Sequence, residues 1–401
     1  MRKNWGDATI FKGSTLTFGG LAYHGDGPYN QRFATPDTHR DDDTAPIRVD
    51  QDRESDYQAF FFENIFRLGK FHIVPSFRLD HERVEVDENV SLFAGEPGQR
   101  PLASPSADHW VPLWGVGMGN DFGNRNETYF SASSGWRPTR WFDISSPFQN
   151  IAPGHPSDPF HSLDFELGVH GTPWRGFWYD VGGFWMLFDN RTETRQFSTT
   201  EFIIANTGST RNRGLEGELS YDFLAPFQHP PVPPPVPVDE KNVVDKNPVP
   251  VPGVTEKFRP LQLVVFSNVQ LLDATFTESD IPDQVGKTPA FAPDFLWKGG
   301  ISFRKERCFN IMLSAFYVSP QFWSDANVAA APFPGAPPTP AKLPAYSVVD
   351  LSGEYYITKT LRVFGGVSNL TNEKYYSRVF FNGSIEPAPQ ISGYGGVSLK
   401  F

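Results

Sequence analysis

The chain has 401 residues, a formal net charge of −11 and a single cysteine, Cys308, which excludes a nucleic-acid binder, whose footprint is basic, and an internal disulfide framework. Mean hydropathy is −0.38, and no run approaches the roughly 20 apolar residues of a membrane helix; barrel strands remain open, because they alternate and leave little hydropathy signal. Aromatics reach 15%, with 37 Phe, 13 Tyr and 10 Trp, the excess that interfacial girdles of a membrane barrel require, although a soluble β-sandwich array can also be aromatic-rich.

The N-terminus, Met1-Arg-Lys-Asn-Trp-Gly-Asp, carries two basic residues with no apolar segment behind them, so no secretory signal is visible. A membrane-barrel reading therefore expects this chain to be part of a longer protein. Period-two alternation then predicts strands near 14–24, 55–68, 70–87, 110–119, 126–136, 161–172, 175–190, 202–223, 259–277, 293–304, 308–320, 345–357, 361–371 and 391–401. Many exceed the nine to eleven residues that a tilted membrane strand needs. No helical domain and no repeat beyond the hairpin rhythm is evident.

The connections carry an independent signal. Counting back from the C-terminus, every second connection is brief: Ile357-Thr-Lys-Thr360, Arg304-Lys-Glu-Arg-Cys308, Thr172-Pro-Trp-Arg-Gly176, Asp121-Phe-Gly-Asn-Arg125 and Arg67-Leu-Gly-Lys70. The others, about 372–391, 321–344, 278–292, 191–201, 137–160, 88–109 and 25–54, are mostly long and rich in Pro, Gly, Asp and Asn. Short inner turns alternating with long outer loops are the habit of an outer-membrane barrel, and a sandwich or propeller gives no reason for it. One inner connection departs: 225–260 contains His229-Pro-Pro-Val-Pro-Pro-Pro-Val-Pro-Val and Asn247-Pro-Val-Pro-Val-Pro. Such a run favours polyproline II and cannot pair in a sheet. We read it as a disordered insertion in a tolerant turn, with a docking segment for a periplasmic partner or a domain linker as the other readings.

Several motifs dissolve on inspection. Gly115-Val-Gly-Met-Gly lacks the following helix and downstream acid of a dinucleotide site, and strand glycines account for it through close packing. No His-Glu-x-x-His, paired Cys-x-x-Cys or Gly-x-Ser-x-Gly anchors a catalytic or metal centre, so no enzyme, cofactor or metal is expected. His155, Asp158 and His161 are irregularly spaced in a loop, and Asp41-Asp-Asp43 after His39-Arg40 reads as a solvated tip, with a weak divalent-ion site as the rival. Cys308 follows Lys305-Glu-Arg, a turn, and is expected to be idle. Arg211 and Arg213 stand at the outer start of a strand; a guanidinium fork suits carboxylates, and pairing with Glu216 or Glu218 is expected, ligand binding being the alternative. Phe322, Trp323, Phe380 and Phe381, in predicted outer loops, read equally as a binding platform or as girdle residues.

The last forty residues are the most specific. Leu361-Arg-Val-Phe-Gly-Gly-Val-Ser-Asn-Leu-Thr alternates, Asn369-Leu-Thr-Asn-Glu-Lys-Tyr-Tyr breaks it, and Gly395-Gly-Val-Ser-Leu-Lys-Phe401 resumes. Val397, Leu399 and Phe401 share one face and Ser398 and Lys400 the other, the alternation of a membrane strand.

Gly366-Val-Ser-Asn-Leu-Thr-Asn-Glu-Lys-Tyr-Tyr376 resembles the segment before the last strand of TonB-dependent outer-membrane receptors, and Gly396, Leu399 and Phe401 resemble the terminal barrel-assembly signal. Thr210-Arg-Asn-Arg-Gly-Leu-Glu-Gly-Glu-Leu-Ser-Tyr221 and Leu343-Pro-Ala-Tyr-Ser-Val-Val-Asp-Leu-Ser-Gly-Glu-Tyr355 also fit. The resemblance covers most of 158–401 and, more loosely, what precedes. It implies an all-β transmembrane antiparallel barrel, about fourteen of the family's 22 strands, over 1–401, with the Pro-rich insertion at 225–260 and no plug domain or energy-coupling box. The implied activity is active transport rather than catalysis: a ferric siderophore or ferric citrate captured by outer loops and imported across a Gram-negative-type outer membrane. Implied partners are the TonB complex, reached through a missing N-terminal part, the ferric chelate, outer-membrane lipids and the barrel-assembly machinery. A passive porin-like channel, or a soluble all-β carbohydrate-binding or hydrolytic protein, are the alternatives.

Overall fold

The computed structural model describes residues 2–4, 13–32, 44–91, 95, 101–123, 125–145, 150–151, 159–196, 202–206, 208–228, 260–281, 283–331, 335, 337–380 and 383–400. The alternating runs form fourteen long strands: β1 Thr15–Asp26, β2 Ile47–Leu68, β3 Phe71–Val90, β4 Ser106–Gly123, β5 Asn126–Arg137, β6 Phe160–Gly171, β7 Phe177–Asp189, β8 Gly208–Asp222, β9 Leu261–Ser279, β10 Phe295–Lys305, β11 Phe309–Val318, β12 Tyr346–Tyr356, β13 Leu361–Ser368 and β14 Ser392–Leu399. Each pairs antiparallel with its neighbour in sequence. Arg2–Asn4 added beside β1 and Tyr29–Arg32 beside β2 make a sheet of sixteen strands. The expected Gly115–Gly119 stretch lies inside β4, where a Cβ at Gly115 would meet Ser76 Oγ at 2.6 Å. It is a packed strand, not a phosphate loop.

Two expectations need correction. The described part of the predicted outer loop 25–54 is mostly strand, since β2 begins at Ile47 and Tyr29–Arg32 pairs with it. Polar alternation there belongs to a wall that continues past the apolar band, and polar residues on both faces disguised it. The predicted single strand 202–223 is two: Phe202–Asn206 leaves the wall and pairs with Thr192–Gln196 in an outer hairpin, while Gly208, at φ +124°, starts β8.

Successive side chains point to opposite faces, and the two faces differ. Phe60, Leu167, Trp185, Leu215, Leu271, Ile301, Leu313 and Leu351 are large, apolar and exposed, and the ladder register places them on one side: Leu215 stands opposite Leu271, Ile301 opposite Leu313, and Leu313 opposite Leu351. Val397 and Leu399, opposite Val363 and Leu361, continue that face, with Ser398 on the other; Phe401 lies outside the described residues. The opposite face carries Glu166, Asp180, Glu216, Lys298 and Asp350. These line one cavity that reaches from β5 to β14, so the polar face is concave and the apolar face outward. Water outside would penalise this arrangement; hydrocarbon outside would not.

Two buried apolar clusters form where outer connections pack on the strand ends or on one another. Ile144, on the short helix Trp141–Ile144, packs with Val84, Val86 and Ala107, and Trp323 packs with Leu343 and Val379. Among the described residues β14 pairs only with β13, and no ladder joins it to β1. A re-closure of Leu16–Tyr23 onto Gly393–Phe401 is not formed. The other edge of β1 is partly covered: Arg2–Asn4 pairs with Thr15–Thr17. Residues 229–259, the bulk of the Pro-rich run, lie outside the described residues, but their anchors do not. Asp222 is in register with Val264, and Phe223 N donates to Leu263 O at 2.9 Å. The hairpin is closed before the insertion leaves it. Cys308 sits in the turn between β10 and β11, half-buried, its N–H donating to Lys305 O.

Candidate ligand path and binding residues

The cavity on the concave face measures about 910 Å³. Its wall on β5 to β8 is acidic because strand register stacks carboxylates side by side: Asp180 is directly opposite Glu218, with Glu166 on β6 and Glu216 one inward position along from Glu218. The Tyr129 hydroxyl lies 2.9 Å from Glu166 Oε1 and 3.0 Å from Asp180 Oδ1, donating to one at a time. Five carboxylates, counting Asp350, and one cation, Lys298, line the cavity. Such a surface attracts cations and repels anions.

At the outer end the loops fold onto one another. Phe291 N donates to Phe322 O at 2.8 Å, and Ala290 N to Asp325 Oδ1 at 2.7 Å. Asn327, at φ +54°, exchanges hydrogen bonds with the Thr288 backbone. Thr339 Oγ1 donates to Gly383 O at 2.7 Å, and Arg191 reaches Asp325 at 3.6 Å while lying over the Phe276 ring. Four outer connections are thus tied into one cap.

The predicted binding residues fall into different roles. Trp323 is 5% exposed and donates its indole N–H to Pro340 O at 2.8 Å, so it is the cap's core rather than a platform. Phe322 has the Lys342 ammonium 4.6 Å above its ring, and Phe380 has the Arg378 guanidinium at 4.6 Å. Phe381 lies outside the described residues. Lys342 and Arg378 precede Leu343 and Val379, which both pack on Trp323, so one small core carries two exposed cation–aromatic pairs. Sequence reading missed both cations. Arg378-Val-Phe380 hinted at one, but the Phe322–Lys342 pair needs the loop's own hairpin.

Arg211 and Arg213 overturn their expected partners. Odd positions of β8 face outward and even ones inward, so neither can reach Glu216 or Glu218. Arg213 instead holds Asp273 through Nε and Nη2 at 2.8 and 2.7 Å, and Arg211 lies 3.9 Å from the same oxygen. The terminal residues show their reasons too. Gly396 lies under Phe364, whose ring would be 2.6 Å from a Cβ there, and Leu399 is on the outward face. In the recognised turn, Asn369 and Asn372 take φ of +53° and +52°. Asn369 is buried, and its amide both donates to Glu373 O and accepts from Glu373 N at 2.8 Å, while Asn372 Oδ1 accepts from Ile391 N. Asparagine tolerates the left-handed region and bridges backbone, so the motif is a staple between β13 and β14.

A metal could be held by His24, Glu54 and Asp56, whose ligand atoms lie within 4.8 Å of one another on the outward side of β1 and β2. Sequence gave no hint, since only register brings them together. His155, Asp158 and Asp41–Asp43 lie outside the described residues, and His161 is half-buried on β6.

On the third outer connection, Asp143 clamps the short helix. It is buried, accepts from Arg137 Nη1 at 2.7 Å and Arg140 Nη2 at 2.8 Å, and caps Arg140 N at 2.9 Å. Burial opposes its charge, but the two guanidiniums and the backbone N–H outweigh that and hold its carboxyl below the ordinary aspartate value.

The fold has known counterparts. The unliganded ferric citrate transporter FecA superposes with a TM-score of 0.68 at 16% identity, covering 97% of this chain and 51% of that one. The ferric yersiniabactin uptake receptor FyuA from Yersinia pestis gives 0.63 at 15%, covering 99% and 52%, and the copper transporter OprC gives 0.66 at 15%, covering 97% and 54%. The chain therefore spans about half the length of these structures. No curated protein sequence matches it. Residues 2–370 match the family described as TonB dependent receptor-like, beta-barrel, which agrees with the outward apolar face, the acidic interior and the stapled last hairpin: this chain belongs to that family.

Proposed function

We propose that this chain forms the outer-membrane wall and extracellular cap of a receptor that imports an anionic ferric chelate, of the ferric-siderophore or ferric-citrate class, with energy supplied through TonB. The single observation that carries the reading is the contrast between two cation–aromatic pairs in the outer connections and an acidic inward wall. The cap offers Lys342 and Arg378 on aromatic rings, a surface suited to a planar anion, whereas the wall below is acidic. An anionic chelate is therefore captured at the cap, and the acidic interior suits a basic filler such as the plug that the resemblance implies. On this reading the domain is 1–401 with an insertion at 225–260, and its lipids, assembly machinery and TonB complex are partners of the complete receptor.

The test uses this chain refolded in detergent. Ferric citrate should quench its tryptophan fluorescence saturably, and Lys342→Gln with Arg378→Gln should weaken binding by about a hundredfold or more, since each charge-assisted contact is worth about 1.5–3 kcal/mol. Saturable binding unchanged in the double variant would remove the cap from the account. No binding of any anionic ferric chelate would overturn the substrate class.

A further inference from the structure

The outward face of β5 to β9 holds a groove that import does not use. Its floor is Gly183, flanked in register by Leu167 and Leu215, with Phe130 and Leu271 beyond them. The missing side chain makes the depression: a Cβ at Gly183 would already stand 3.3 Å from Leu215 Cδ2. Two residues nearer the loops, the next outward row is Trp185, Arg213 and Asp273, and two residues above Arg213 comes Arg211. Two guanidiniums face one carboxylate there, and Arg211 Nε has no hydrogen-bond partner among the described residues. By register Gly214 and Leu272 belong to the inward face and contribute backbone only.

Height fixes what such a groove can hold. Arg213 stands eight residues above Tyr221, near the inner end of β8, which at about 3.4 Å per residue and a tilt of about 40° puts it roughly 20 Å up an apolar band of about 25 Å. An indole and Arg213 at that level lie just below the top of the band, and Arg211, two residues higher, reaches the phosphate layer, with the apolar groove directly below in the hydrocarbon.

We propose that this face seats one phosphate-bearing lipid of the surrounding bilayer, its phosphate on Arg211 and Arg213 and one acyl chain in the groove over Gly183. Asp294 also lines the groove, so the anion's place is the adjacent pair Arg211 and Arg213, where Arg211 Nε is unpartnered among the described residues, and the apolar floor selects a chain; the two together select an anionic amphiphile over either alone. The inference rests on the membrane-embedded reading but not on ferric-chelate capture.

Native mass spectrometry of the full chain in detergent tests it, with phosphatidylglycerol, diacylglycerol and inorganic phosphate as probes. One phosphatidylglycerol should be retained per chain, and inorganic phosphate should not displace it. Arg211→Gln with Arg213→Gln should lower retention at least about tenfold, and Gly183→Leu should lower it with both cations intact, while Lys359→Gln at an inner turn should not. Should a variant misfold, the wild-type chain still decides: brominated phosphatidylglycerol should quench Trp185, read as the difference from Trp185→Phe, more than brominated diacylglycerol does. Equal retention of both lipids, or displacement by phosphate alone, would overturn the proposal. Ferric-chelate binding unaffected by these changes would leave the transport reading standing whichever way the lipid result falls.

Discussion

At the scale of single residues, the outer connections are held by charges in fixed geometry, and these have a pH signature. Asp143 is the clearest case. Its folded-state affinity for protons is depressed by Arg137 and Arg140, so its contribution is fully present above the unfolded value of about 3.9 and is lost as pH falls through the lower folded value. We expect the Trp141–Ile144 helix to detach from Val84, Val86 and Ala107 only below about pH 4, with amide exchange in 140–145 rising there before the wall exchanges. Asp143→Asn should show the fast exchange at neutral pH; Arg140 is 64% exposed, so solvent screening holds its share to the lower end of a total near 1–3 kcal/mol. Fast exchange of the wall and the helix together would mean that the clamp supports the whole fold.

The residue scale also explains what sequence could and could not reveal. Asn369 and Asn372 were legible because left-handed turns select asparagine within a few positions of chain. Arg213's partner was not, because Asp273 lies sixty positions away and only the ladder between β8 and β9 brings it near. Glu216, three positions off, looked plausible until strand parity placed it on the opposite face.

Among elements, strand alternation and the rhythm of short and long connections foretold all fourteen wall strands. Ends were harder, as the start of β2 at Ile47 shows, because above the apolar band both faces of a strand are polar and the period fades. The cap was illegible for a different reason: Trp323, Phe322 and Phe380 look alike in sequence, and only the packing of two connections buries one and leaves cations on the others. The Pro-rich run is an element whose neighbours predict its behaviour. With Asp222 accepting from Leu263 N at 3.1 Å and β8 already laddered to β9, joining Gln228 to Pro260 through a short turn should leave unfolding midpoints and ferric-chelate binding unchanged. A loss of folding would show that the insertion supports the wall; retained folding with lost uptake in a complete receptor would favour a docking segment.

Considered whole, the molecule is a sheet with an apolar outside, an acidic inside and a cap that carries two cation–aromatic pairs. Among the described residues one side of β14 carries no ladder, and hydrogen-bonding groups left unpaired there would each cost several kcal/mol in hydrocarbon. The central claim is the assignment of faces, and site-directed labelling tests it most directly. In a Cys308→Ser background reconstituted in lipid, single cysteines at Ile311, Met312, Leu313 and Ser314 of β11 should alternate. Spin labels at 311 and 313 should collide with oxygen dissolved in lipid, and those at 312 and 314 with a water-soluble nickel chelate. Uniform exposure of all four to the aqueous reagent, or the opposite alternation, would contradict the account.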